Sequence, residues 1–475
     1  MKTYPLYLNG EFIAGEPALE IVNPATGEVF ARMSLIDRRR VAQALSDAHA
    51  ALPGWRALTG KARGEFLRKI ATELERHRDE IARTITMENG KPLAQSQGEV
   101  AMSIDHLGWF AEEARRAYGR VVPHQADGKR NLVIKTPMGV VAAISPWNFP
   151  LALAVRKLAP ALAAGCTTIL KPASATPLCA VALAECVAAA QLPKGVFQLV
   201  AGRAADIAAE FLENPLCRKI TFTGSTEVGR SLIRGASAQV KPLSLELGGH
   251  GPVLVFDDAN LDAAVEGAMV AKFRNTGQSC IAANRIFVQR SVYEKFLEKF
   301  VEQTRALKVG NGLEPGVQIG PLINEEGLAK ALEHIQDAVQ LGARLLCGGK
   351  RLARPGVFLE PTVLADVPAK AACMSEETFA PIAPVCPFDT EAEALEQANA
   401  SIYGLSAYAF TRDVSRTFRL MEGLEAGTIG INDGLPTTSN CPFGGFKQSG
   451  WGRELGVEGM DAFLETKHIS LGLDI

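Results

Sequence analysis

From residue 140 onward, short unbroken apolar runs alternate with longer segments whose apolar residues recur at three and four positions. The runs 140–144, 167–170, 196–200, 219–222 and 252–256 read as strands. The segments 151–164 and 177–190 read as helices, the first interrupted at Pro160 and stopped by Gly165. Strands apolar on both faces with helices between them imply successive βαβ units and a parallel sheet covered on both sides. Residues 37–118 read as mostly helical, with one helix over 61–89. Beyond residue 280 the alternation restarts, with strands at 285–288, 407–410 and 428–431 and helices at 292–307 and 325–341. That pattern predicts a second α/β domain. The segments 129–136 and 463–471 instead alternate apolar with polar residues. They can pair with each other and protrude, either as a surface hairpin or as a subunit contact, since a bare sheet edge is costly.

A chain of 475 residues is long for one core, so two or three domains are expected. The 50 basic and 52 acidic residues nearly cancel, which argues against nucleic acid or an anionic membrane as the main partner. The stretch 172–193 is the most apolar, but it carries Glu185 and is rich in small residues, as a helix packed on a sheet is. The N-terminus has no apolar signal core. Nine cysteines, an odd number without a CxxC pair, fit free thiols in a reducing cytoplasm. Seven scattered histidines without ligand spacing predict no metal site.

Candidate chemistry centres on Cys280, flanked by Gly277, Gln278, Ser279 and Asn284 as in a turn. A thiolate adds well to a carbonyl, whereas a cysteine in a core is only a small hydrophobe. Glu246 lies between Leu245, Leu247 and two glycines. Desolvation there would raise its pKa and suit a general base; the alternative is a structural carboxylate bonded to backbone amides. Asn148, bracketed by Pro146 and Pro150, is either an oxyanion donor or a turn residue. The segment Phe222-Thr223-Gly224-Ser225-Thr226-Glu227-Val228-Gly229 follows a strand and opens a helix that can hold a phosphate. Lys171, after another strand, can meet a ribose hydroxyl or a 2′-phosphate. The neutral Ser174 need not exclude NADP, as an acidic residue would. Arg156 and Arg285, in apolar surroundings, point either to internal salt bridges or to a bound carboxylate or phosphate.

In order, the segments Pro146–Pro150, Lys171–Ser174, Phe222–Ser225, Leu245–Gly249, Gly277–Cys280, Glu377–Pro381 and Pro442–Gly450 resemble those of the aldehyde dehydrogenase superfamily across essentially the whole chain. The likeness is greatest to bacterial succinate-semialdehyde dehydrogenases. It implies a Rossmann-like cofactor domain over 1–121 and 140–247, an α/β catalytic domain over 248–458, and a small β oligomerisation element over 122–139 and 459–475 of a homodimer or homotetramer. It implies Cys280 as nucleophile, Asn148 with the Cys280 amide as oxyanion hole, and Glu246 as hydrolytic base. NAD or NADP would be held by Ser145, Trp147, Lys171, Ser174, Gly224, Ser225, Gly229, Glu377 and Phe379. Arg156, Arg285 and Thr437 or Thr438 would hold the distal carboxylate of the substrate. A second cysteine two positions after the nucleophile, present in some members, is replaced by Ala282. Ala380 replaces the usual glycine after Phe379, and the loop 435–441 differs from the nearest relatives.

Overall fold

The computed structural model describes residues 1–15 and 17–473. Its largest sheet has eight strands. The inner ones are parallel and run in the order Leu243–Glu246, Cys217–Thr223, Val140–Ile144, Thr167–Lys171 and Phe197–Leu199. Antiparallel strands close both edges: Gly450–Trp451 beside Leu243–Glu246, and Leu6–Leu8 with Glu11–Ile13 beside Phe197–Leu199. The parallel interior is as the apolar runs predict. The antiparallel edges come from remote parts of the chain and carry no local signal. Strand order reverses between Val140–Ile144 and Cys217–Thr223, so a crevice opens there at the carboxyl ends, where α/β sheets bind ligands.

Every residue of the helix Ala152–Ala164 is buried, Arg156 and Lys157 included. The helix runs through Pro160 without the expected interruption. Proline removes only the one N–H that would have reached the Arg156 carbonyl, and packing on every side holds the rest of the helix together. It ends at Gly165, whose φ of 98° is the left-handed stop that glycine favours.

The expected helix over 61–89 is two helices, Gly60–Arg76 and Arg78–Asn89. The break is at His77, whose N–H still bonds Glu73 while its carbonyl accepts from Ile81 at 3.0 Å. Buried Leu67, Ile70 and Leu74 on one side and Ile81 and Ile85 on the other keep the same spacing, so the sequence pattern does not show the bend.

The second sheet runs Arg344–Cys347, Thr362–Ala365, Ile382–Phe388, Ala283–Gln289, Gly251–Val255, Ser406–Phe410, Thr428–Ile431, parallel except for its first pair. The chain leaves the first sheet at Glu246 and enters the second at Gly251 through the short connection 247–250. The carboxyl edge of one sheet therefore meets the amino edge of the other, and functional side chains from both converge on that seam. The segments 129–136 and 463–471 do pair: Lys129–Pro137 and Leu464–Gly472 run antiparallel from Leu464 opposite Pro137 to Gly472 opposite Lys129, with Arg120–Val122 on the far side. Asp474 and Ile475, the end of the 459–475 segment, and Glu16 lie outside the described residues. Among the described residues no helix is long and apolar enough to cross a membrane.

Candidate active site

Cys280 ends an unusual turn. Asn275, Thr276 and Gly277 all have positive φ, at 50°, 59° and 74°. A β-branched residue in that region is strained, on the order of 1–3 kcal/mol. Gly277 cannot be replaced cheaply, because a Cβ there would lie 2.2 Å from the Ala380 carbonyl. Buried polar contacts hold the turn. Asn275 Nδ2 donates to the carbonyls of Asn148 and Gln278 at 2.9 and 3.0 Å. Thr276 Oγ1 accepts from Gly320 N at 3.0 Å, and Gln278 Oε1 accepts from Ile323 N at 2.9 Å. The strain is thereby locked in where the thiol is presented.

Cys280 is half-buried, and enough protein surrounds its sulfur that burial pushes the thiol up to about 12. Glu377 and Glu246 push the same way, while Arg156 and the residue's own amide pull it down. The resting sulfur is therefore a thiol, which must lose its proton before it attacks. Its amide lies close enough to stabilise charge at the sulfur, and so also near any adduct formed there.

Glu246, at the carboxyl end of its strand, is buried, and its Oε2 has no protein hydrogen-bond partner. Burial, and then the carboxylate of Glu454, raise its pKa well above the ordinary value; Lys157, Arg453 and Arg156 act in the opposite direction. Lys157 Nζ donates to Glu454 Oε1 at 2.5 Å and to Thr223 Oγ1 at 2.6 Å, all within the core. Two carboxylates thus share the field of one lysine, and Glu246 is the one without a direct bond to it. Lys157 and Glu454 went unrecognised in the sequence because they are far apart along the chain and meet only through the helix after Asn148.

Asn148 donates from Nδ2 to Gln278 O at 3.2 Å, which leaves its second amide hydrogen for a ligand. Its carbonyl accepts from the buried Lys91 at 2.6 Å, and Lys91 in turn pairs with Glu99 at 2.6 Å. Glu99 also accepts from the amides of Leu151 and Ala152, so one carboxylate fixes both the Asn148 turn and the start of the next helix.

The predicted cofactor positions gather along the carboxyl edge of the first sheet. Ser145 Oγ is buried without a partner. Lys171 Nζ reaches only the adjacent Pro172 carbonyl, at 3.0 Å, and burial lowers its pKa; Ser174 is exposed. Ser225 caps the helix Thr226–Ala236 by accepting from Val228 N. Gly229 is needed there because a Cβ would lie 2.6 Å from Leu247. Gly224 precedes that helix. Glu377 accepts from Gly249 N at 3.0 Å and is pushed by burial to about 7. Phe379 meets Trp147 edge-on at 5.4 Å. An orphaned hydroxyl, a lysine bonded to no carboxylate and a helix N-terminus along this edge fit a dinucleotide.

The two predicted arginines part company. Arg156 is buried, has no carboxylate bonded to it, and contributes to the electrostatics of both Cys280 and Glu246. Arg285 is placed elsewhere: its guanidinium donates to the carbonyls of His250, Gln397 and Ala398. Those acceptors take up its donor nitrogens, so it is not free to hold a substrate. Arg274, not among the candidates read from the sequence, is the arginine that neighbours Arg156 and Cys280. It stacks on Phe149 at 4.9 Å and makes no salt bridge among the described residues. Its position six residues before the thiol was the available signal. Thr437 Oγ1 is buried and unpartnered, whereas Thr438 is exposed and bonds Asn440 at 2.8 Å. Among the described residues no His, Cys, Asp or Glu cluster suits a metal ion.

A dinucleotide-type parallel sheet joined at its carboxyl edge to a second sheet that presents a thiol, with a buried carboxylate at the seam, defines a cysteine-centred α/β oxidoreductase. The chain belongs to the aldehyde dehydrogenase family, which it matches over residues 12–469. It is 49% identical over 469 residues to the succinate-semialdehyde dehydrogenase (NADP(+)) GabD of Escherichia coli (strain K12), covering 98% of this chain and 97% of that one. It is 48% identical over 468 residues to a glutarate-semialdehyde dehydrogenase of Pseudomonas aeruginosa, with 98% and 97% covered. The crystal structure of a succinate-semialdehyde dehydrogenase from Burkholderia pseudomallei superposes with a TM-score of 0.98 at 44% identity, covering 99% and 98% of the two chains.

Proposed function

We propose that this protein oxidises a small aldehyde with a remote anionic group, succinate semialdehyde first, to the corresponding acid with NAD or NADP. The observation that carries the reading is the pair Arg156 and Arg274 beside Cys280, both buried or half-buried and neither paired with a carboxylate. Two unneutralised guanidinium groups in a low-dielectric cleft recognise a carboxylate well. Thr437 supplies a free hydroxyl to the same end.

In this reading the Cys280 thiol gives up its proton to water and the sulfur attacks the aldehyde carbon, while Asn148 Nδ2 with the Cys280 amide holds the thiohemiacetal oxygen. A bound nicotinamide would supply the hydride acceptor, and loss of hydride from that carbon leaves a thioester on Cys280. Ser145, Trp147, Lys171, Ser174, Gly224, Ser225, Gly229, Glu377 and Phe379 would hold the dinucleotide. Glu246 then takes a proton from water, which releases the acid and restores the thiol. Ser174 leaves room for a 2′-phosphate, so NADP is accepted. Residues 1–121 and 140–247 form the cofactor domain and 248–458 the catalytic domain. The exposed ladder of Lys129–Pro137 and Leu464–Gly472 is the subunit contact of a dimer or tetramer. The free thiols fit a cytoplasmic setting.

Asn148→Ala is expected to lower kcat by about 10²–10³-fold with little change in KM, which steady-state kinetics checks. The substrate assignment is tested by measuring NAD and NADP reduction with succinate semialdehyde, glutarate semialdehyde, lactaldehyde, betaine aldehyde and an unsubstituted aliphatic aldehyde. A short semialdehyde should have the highest kcat/KM. Arg156→Ala and Arg274→Ala should each lower that value about 10–100-fold while Arg285→Ala keeps the preference. A neutral or cationic aldehyde as best substrate contradicts the assignment.

A further inference from the structure

Buried arginines are normally held by carboxylates. Arg156 is instead held by a neutral ring. Its Nε donates to His106 Nε2 at 3.1 Å. Guanidinium can only donate, so Nε2 is the acceptor and the ring proton sits on Nδ1. His106 Nδ1 lies 2.7 Å from Ser439 Oγ, which must then accept, and the Ser439 hydroxyl donates to Asp105 Oδ2. Each group in the sequence Arg156, His106, Ser439, Asp105 donates to the next, and the order is self-consistent only with neutral imidazole. Burial and the nearby Arg156 charge both disfavour a protonated ring. The nearest carboxylate of this chain of bonds is kept three hydrogen bonds away from the guanidinium. His106, Arg156 and Ser439 are all buried and belong to three separate segments: the helix Leu93–Glu113, the helix Ala152–Ala164 and the loop 435–441. That loop also carries Thr437.

We infer that His106 is a specificity-determining positioning residue: with Ser439 and Asp105 it fixes the direction of Arg156 and ties it to the substrate loop without neutralising its charge. Had a carboxylate stood at this position, it would have competed with the anionic end of the substrate. The inference rests on the anionic-aldehyde reading and deepens it.

The test compares wild type, His106→Ala, His106→Gln, Ser439→Ala and Arg156→Ala in NADP reduction, with succinate semialdehyde and with an unsubstituted aliphatic aldehyde. His106→Ala is expected to raise KM for the semialdehyde about tenfold relative to that for the neutral aldehyde, with kcat moving far less. His106→Gln, whose amide oxygen can accept from Arg156 Nε, should recover most of that ratio, and Ser439→Ala should show a smaller shift in the same direction. Equal losses for both aldehydes, or no recovery in His106→Gln, overturn the inference. If Arg156→Ala removes the preference while His106→Ala and Ser439→Ala retain it, the inference alone fails. If Arg156→Ala also leaves the preference intact, the anionic-aldehyde reading itself fails. Should His106→Ala not fold, Ser439→Ala and His106→Gln decide by the same KM ratio.

Discussion

Cys280→Ser protein is expected to reduce NADP with aldehyde at least about 10⁴-fold more slowly than wild type. A serine hydroxyl is far harder to ionise than a thiol, and this site already disfavours the anion, since burial holds the cysteine itself at about 12. No other thiol can stand in. Cys166, Cys179, Cys186, Cys217, Cys373 and Cys386 are buried, and Cys347 lies on a strand of the second sheet. Cys441 is exposed, so thiol labelling of wild type should mark both Cys280 and Cys441. Aldehyde should protect Cys280, and in the serine variant the protected site should be lost while the Cys441 label remains. Retained turnover in Cys280→Ser would remove the thiol from the mechanism.

The second large effect falls on Glu246. Glu246→Gln should keep the first turnover and lose the later ones: a rapid burst of NADPH close to one per site, then a steady rate lower by about 10²–10⁴-fold. Glutamine cannot take the proton from water, so the thioester persists. The pH dependence has a definite sign. Burial and Glu454 raise the Glu246 pKa, so below that raised value the carboxyl is protonated and cannot act as base. Wild-type kcat should therefore climb with pH along a limb centred well above the ordinary carboxylate range, and Glu246→Gln should flatten it. Stability should run the other way. A carboxyl whose folded pKa lies above its unfolded one contributes stability that is full below the unfolded value and is lost as pH rises through the folded value. Activity and the Glu246 share of stability thus trade against each other across the same window.

Local chemistry made part of this site legible in the sequence. The turn before Cys280, the lone carboxylate at a strand end and the bracketed asparagine each break the surrounding apolar pattern. The structure brings Glu246 and Cys280 to one seam because the connection 247–250 is too short to do otherwise. What the sequence hid was partnership. Arg156 and Arg285 look alike as apolar-flanked cations, yet backbone carbonyls from two distant segments surround Arg285, whereas Arg156 is held by the His106 ring. Lys157 reads as one more polar residue on a helix, but it is fully buried against Glu454, almost three hundred positions away. His106 was only one of seven scattered histidines until the loop 435–441 closed over it. The fold shows the same division. Most strands of the parallel interiors were visible as apolar runs, though Thr362–Ala365 and Ile382–Phe388 were not among them, and the pairing of the two alternating segments followed from their shared pattern. The bend at His77 and the antiparallel edge strands depend on contacts that no local window contains.

The measurement that bears most directly on the mechanism is a single turnover of Glu246→Gln with succinate semialdehyde and NADP, stopped in acid and mapped by peptide mass spectrometry. The account predicts one NADPH per site and the succinyl group on the peptide containing Cys280. NADPH formed with that peptide unmodified, or with the acyl group on another residue, would contradict it.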